Sequence, residues 1–169
     1  MADRGRIVQL SVSPGGVPKR AVAEARVTRL GLEGDGHRDT EHHGGPDRAL
    51  CLYPLEAIHA LAAEGHAIAP GAIGENVTTE GLDWGLVGPG VHLLLGGRVL
   101  VQVTRYTSPC LNIAPMFQGR DYGRVSQKRH PGWSRVYARV LGEGRLRSND
   151  PVRLVSELEA GELGATATR

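Results

Sequence analysis

Apolar and polar residues alternate along most of this chain, and the phase of that alternation defines its elements. Over 7–12, Val8, Leu10 and Val12 recur at every second position, which predicts a strand. Ser13-Pro14-Gly15-Gly16 turns it. Over 21–30, Ala21, Ala23, Ala25 and Val27 share one face and Glu24, Arg26 and Thr28 the other, as in an antiparallel partner with one solvated face. Residues 48–53 form a short apolar run that reads as a buried strand. Pro54 then opens a helix at its first helical position, with Leu55, Ile58 and Leu61 or Ala62 as its apolar stripe and Gly65 as its stop. Val91-His-Leu-Leu-Leu95 pairs through Gly96-Gly97 with a strand over 98–104, and strands over 135–141 and 152–155 complete the sheet. The tail, 157–169, reads as a fraying helix or as disorder.

Short, mostly antiparallel strands with one helix predict a mainly β, barrel-like fold. One domain over 5–155 followed by a tail over 156–169 accounts for the length of 169 residues. No internal repeat or second domain is evident.

Three stretches break the alternation and carry the chemistry. Residues 31–47 have no periodicity and hold three histidines (His37, His42, His43), three aspartates (Asp35, Asp39, Asp47) and two glutamates. A loop this long in a compact domain is commonly functional, and these residue types coordinate metals or move protons. Residues 69–77 are Gly-rich and end in Gly74-Glu75-Asn76, either a tight turn or a place where backbone meets a ligand. The third follows the strand that contains Val99, Val101 and Val103. Ser108-Pro109 ends that ladder and Cys110 comes next, before a run that can begin a helical turn. Backbone N–H groups there favour thiolate, the form that attacks and that binds metals. The alternative is a buried cysteine acting as a small hydrophobe. Cys51 sits between leucines and reads as core. The segment 117–134 carries Arg120, Arg124, Lys128, Arg129 and His130, with Arg135 directly after it, and reads as a mobile basic loop that holds an anion or as a solvated surface loop.

Composition narrows the function classes. A formal net charge of +2 is too small to argue for stable nucleic-acid binding. Two cysteines do not make a disulfide framework. No apolar run approaches a membrane span, and the N-terminal residues carry no signal-peptide pattern, so a reducing cytoplasm is the expected location.

Gly31-Leu-Glu-Gly-Asp-Gly-His37, His43-Gly-Gly-Pro-Asp-Arg-Ala-Leu50 with Tyr53-Pro54, Gly74-Glu-Asn76 with Glu80-Gly-Leu82, and Ser108-Pro-Cys110 stand in the order and spacing of the MOSC family. These domains resemble the C-terminal part of molybdenum cofactor sulfurases, and the resemblance is nearest to the small stand-alone bacterial members. It implies a twisted β-barrel that handles molybdenum cofactor (molybdopterin) at a cleft. It also implies Cys110 as a molybdenum ligand in a reductase of N-hydroxylated compounds, including N-hydroxylated nucleobases. His43 and Asp47 are then the proton-handling residues. Asp35, His37, Arg48, Gly74, Glu75, Asn76, Arg105 and Asn112 are then the cofactor contacts. Arg105-Tyr106-Thr107 and Asn112 replace a Gln-Pro-Arg type sequence and a lysine found in many relatives. The sulfurases' pyridoxal phosphate lysine belongs to a separate domain, so pyridoxal phosphate is not expected here. The implied partners are a small-molecule substrate and an electron-donor redox protein. Two other readings are a carrier of cofactor or persulfide sulfur on Cys110, and a zinc hydrolase using His37, His42 and His43. The last suffers from poor geometry for adjacent histidines and from the absence of HExxH.

Overall fold

The structure, a computed structural model, describes residues 2–36 and 44–167. The chain runs β1 (Arg4–Val12), β2 (Arg20–Val22), β3 (Glu24–Thr28), β4 (Gly31–Leu32), β5 (Leu50–Pro54), α1 (Leu55–Ala63) and β6 (Val77–Glu80). It continues with β7 (His92–Leu95), β8 (Val99–Tyr106), β9 (Val136–Gly142), β10 (Gly144–Arg147), β11 (Pro151–Val155) and α2 (Glu157–Ala167). Seven strands close into a barrel in the order β1-β11-β7-β8-β9-β5-β6 and back to β1. Every neighbouring pair in that ring is antiparallel except β5 and β6. A parallel pair needs a crossover, and α1 supplies it. β2 extends β1 outside the ring, and β10, β3 and β4 form a small second sheet.

The barrel interior is filled by alternate residues of each strand. Leu93 and Leu95 meet Val99, Val101 and Val103 across the β7–β8 hairpin, all fully or almost fully buried. β5 is buried along its whole length, as expected of a strand covered on both faces. Pro54 ends β5 and caps α1 instead of being its first residue, and Ile58 and Leu61 form the buried stripe. With Tyr53, Ile73, Ile113 and Phe117 they make a second core outside the barrel, and this core carries the Cys110 loop.

Two strand assignments change. In β1 the register against β6 shifts between Ile7 and Gln9. The extra residue reverses the phase, so Ile7 and Leu10 enter the core while Val8 is only half-buried. The expected common face of Val8, Leu10 and Val12 is thereby broken. The strand expected over 21–30 is two strands, parted at Ala23, because β2 pairs with β1 and β3 with β10. The tail is helix α2. Ala160 packs on Leu94, Leu100 and Val155, the outward residues of the barrel wall.

The basic segment after Phe117 is anchored through short 3-10 turns. Arg124 makes two hydrogen bonds to the Glu64 carboxylate, 2.7 and 3.0 Å, and stacks 4.0 Å from the Trp133 ring. Tyr53 Oη donates to the Trp133 carbonyl at 2.6 Å. Among the described residues no helix is long and apolar enough to cross a membrane.

Candidate functional site

The ends of β5, β6, β8 and β9 meet at one cavity of about 290 Å³. β8 delivers the chain to Ser108-Pro109, and Cys110 follows in extended conformation, capping a six-residue 3-10 turn. The Cys110 thiol is partly exposed and lines the cavity with Ser108, Asn112 and Ile113. Gly36, Arg48, Gly74 and Asn76 line it from the other loops. The three irregular stretches therefore do converge, at the described residues of the first and at the other two.

Asn76 and Asp35 organise the cavity wall. The Asn76 side chain accepts from the Cys51 N–H at 3.0 Å and donates to the Ser11 carbonyl at 3.2 Å and to Asp35 at 2.8 Å. Asp35 also accepts from the Ser13 N–H at 3.0 Å and from the Lys19 ammonium at 2.6 Å. Asp35 is thus an anchor behind the wall, and the Lys19 side chain that it holds lines the cavity.

Glu75 turns the other way. It is fully buried, one carboxylate oxygen accepts from the Gly71 N–H, and the other has no partner among the described residues. Burial pushes its pKa up to about 7, opposed by the Gly71 hydrogen bond and by Arg135 and Lys19. Glu75 stiffens the 71–75 turn and does not itself line the cavity.

Two wall residues were not singled out from the sequence, Lys19 and Tyr137, and a third, Arg135, was named only among the basic residues after Phe117. Arg135 is 7% exposed, donates to the Ile73 carbonyl at 2.6 Å, and has a buried Nε with no partner among the described residues. The described cavity lining contains the cations Lys19, Arg48 and Arg135 and no carboxylate. Cys51 also reaches the wall, but burial raises its thiol to about 11, which keeps it protonated and inert.

Two expected residues stand elsewhere. Asp47 is exposed, and its carboxylate pairs with Arg139 at 3.0 Å on the outside of the barrel. The turn after Gly45 points it that way. Arg105 is exposed on β8 and does not line the cavity. Arg48 does, with its guanidinium 5.9 Å from the Tyr137 ring centre. His37 and His43 lie outside the described residues, as does His42 of the zinc reading.

The MOSC domain model matches residues 39–153. Protein YiiM of Escherichia coli K12 is 36% identical over 152 residues, covering 86% of this chain and 66% of the relative. Uncharacterized protein YflK of Bacillus subtilis 168 is 36% identical over 150 residues with the same coverage. The chain thus spans just under two thirds of these curated relatives, at 66% of their length. The crystal structure of Escherichia coli YiiM superposes with a TM-score of 0.69 at 31% identity, over 91% of this chain and 70% of that one. YiiM of Geobacillus stearothermophilus superposes at 0.67 and 29% identity, over 90% and 75%.

Proposed function

This chain belongs to the MOSC domain family, and from that premise we propose that it is a molybdenum-cofactor-dependent reductase of N-hydroxylated compounds, N-hydroxylated nucleobases among them. The observation that carries the reading is a partly exposed thiol and a buried, incompletely paired guanidinium, Cys110 and Arg135, on the walls of one cavity. This donor set fits the cofactor. A thiolate is a soft ligand suited to molybdenum. Arg135, Lys19 and Arg48 suit an anionic phosphate, because guanidinium and ammonium donors make charge-assisted hydrogen bonds to its oxygens.

When bound, the cofactor supplies the electron pair for reducing the N–O bond. The overall change takes two electrons from a redox partner and two protons, and releases the amine and water. The chain's residues bind, orient and protonate. Cys110 would hold the metal centre at the cavity wall. Asn76, fixed by the Cys51 backbone and Asp35, keeps the wall in shape. The proton for the departing oxygen needs a donor titrating near neutral pH. Cys51, at about 11, and Tyr137, raised by burial to about 12, hold their protons too tightly. Asp47 is engaged by Arg139. The resemblance implies His43 or Asp47 as that donor, and with Asp47 so engaged we assign the role to His43.

The test is elemental analysis of the chain made in a host that synthesises the cofactor, followed by turnover of an N-hydroxylated base with a reduced electron donor. Stoichiometric molybdenum with turnover supports the reading. Molybdenum or persulfide sulfur without turnover supports the carrier role instead.

A further inference from the structure

A second groove lies on the other side of the Cys110 loop. It runs between 106–109 and 120–129, encloses about 810 Å³, and opens to solvent. Ser108 lines both this groove and the Cys110 cavity, so the two adjoin at that residue.

The groove's charge is one-sided. It holds Arg120, Lys128 and Arg129 against one carboxylate, Asp121. Arg129 takes that carboxylate at 3.0 Å, which leaves Arg120 and Lys128 without a carboxylate partner among the described residues. Thr107, 3% exposed, lines the groove, and its hydroxyl is buried without a hydrogen-bond partner among the described residues. Arg120 has a left-handed backbone, φ 58°, directly after Gly119 at 61°. A glycine would adopt this turn with less strain than an arginine. Tyr106 and Tyr122 add rings of the kind that stack on heteroaromatic bases.

We propose that this groove is a phosphate subsite, and that the substrates are N-hydroxylated nucleoside monophosphates, with the modified base in the Cys110 cavity and the phosphate on Arg120 and Lys128. The substrate class rests on the reductase reading; the subsite itself does not. Two cations lacking a carboxylate among the described residues match a dianion, and Ser108, which lines both sites, stands between the two ends of such a ligand.

Calorimetric titration of the full chain with adenosine 5′-monophosphate and with adenosine, at low ionic strength, tests the subsite without any cofactor. The monophosphate should bind at least about tenfold more tightly than the nucleoside. R120Q/K128Q changes only exposed side chains, so its fold should survive, and it should erase that difference. Equal binding of the two ligands to the wild-type chain, or full discrimination in R120Q/K128Q, would overturn the proposal. On the molybdenum-loaded chain, the N-hydroxylated monophosphate should show a lower KM than the free N-hydroxylated base, and R120Q/K128Q should remove that advantage. Equal KM values unaffected by R120Q/K128Q would refute the substrate class and leave the reductase reading intact. Monophosphate discrimination without any reduction would uphold the subsite and refute the reductase reading.

Discussion

Asp35 accepts a hydrogen bond from the Lys19 ammonium at 2.6 Å, and the two side chains are 3% and 8% exposed. Removing one member of such a pair strands the other charge out of water, at a cost of about 3–5 kcal/mol. Asp35→Ala is therefore expected to lower the unfolding free energy by about 3 kcal/mol or more. Asp35→Ala/Lys19→Met should lose clearly less than the sum of the two single variants. Urea titrations of the three variants decide it, and strict additivity would contradict the pairing.

Glu75 sets a pH dependence opposite to that of a salt-bridged carboxylate. Its folded-state pKa, about 7, lies above its ordinary value of 4.5. Its contribution to stability is therefore complete below 4.5 and is lost as pH rises through 7. Above that, the buried carboxylate costs about 3 kcal/mol. Glu75→Gln keeps an oxygen for the Gly71 N–H and removes the charge. The variant should gain on the wild-type chain as pH rises from about 5 to 8, as read by denaturant midpoints at each pH. A constant difference across that range would contradict the assignment.

The two cysteines should separate cleanly. Cys110→Ala is expected to abolish both molybdenum retention and turnover while the fold survives. Cys51→Ala should keep both at a stability cost of about 1 kcal/mol for the small cavity. Iodoacetamide followed by mass spectrometry gives an independent readout on the native chain. Cys110 should be alkylated first, because Cys51 is 4% exposed and its thiol is raised to about 11. Labelling of Cys51 ahead of Cys110 would reverse the roles.

Gly74 is a position of the cavity wall that resists a side chain. Its φ is +96°, and an added Cβ would stand 3.2 Å from Val17 Cγ1 and 3.9 Å from Arg135 Nη1. Gly74→Ala is expected to lower stability by about 1–2 kcal/mol through the left-handed backbone alone. It should also weaken cofactor retention, measured as molybdenum per chain after gel filtration.

Much of the barrel could be read from the sequence because the pleat of a strand is a local, two-residue signal. The β7–β8 hairpin and the buried β5 were legible for that reason. The bulge at Ile7–Gln9 was not, since its extra residue is defined only by the partner strand β6. The break at Ala23 likewise depends on which strand each half pairs with. At the site, the loops announced themselves by losing periodicity, and Gly74, Asn76 and Cys110 followed from them. Lys19 did not, and Arg135 stood out only as one of the basic residues after Phe117. Lys19 stands in the turn between β1 and β2, and Arg135 immediately precedes an ordinary alternating strand. Only the barrel's curvature turns them toward Cys110. The lone lysine in an arginine-dominated N-terminal half was the one available hint for Lys19. Asp47 shows the converse: a residue of the right type in the right loop, turned outward to Arg139 by the Gly45-Pro46 turn.

The closing seam of the barrel imposes an order on its assembly. β1 pairs with β11 in the register Arg4 to Arg153, so the first strand waits for nearly the last. On a ribosome, β1 and β7 each keep an unsatisfied edge until β11 emerges, and such edges recruit other chains. Closure over so long a separation also slows folding into the range of about milliseconds to seconds typical of non-local β topologies. A nascent chain halted before Pro151 would therefore be the aggregation-prone species. Expression yield should respond more to the rate at which the final strand is delivered than to substitutions at the cavity.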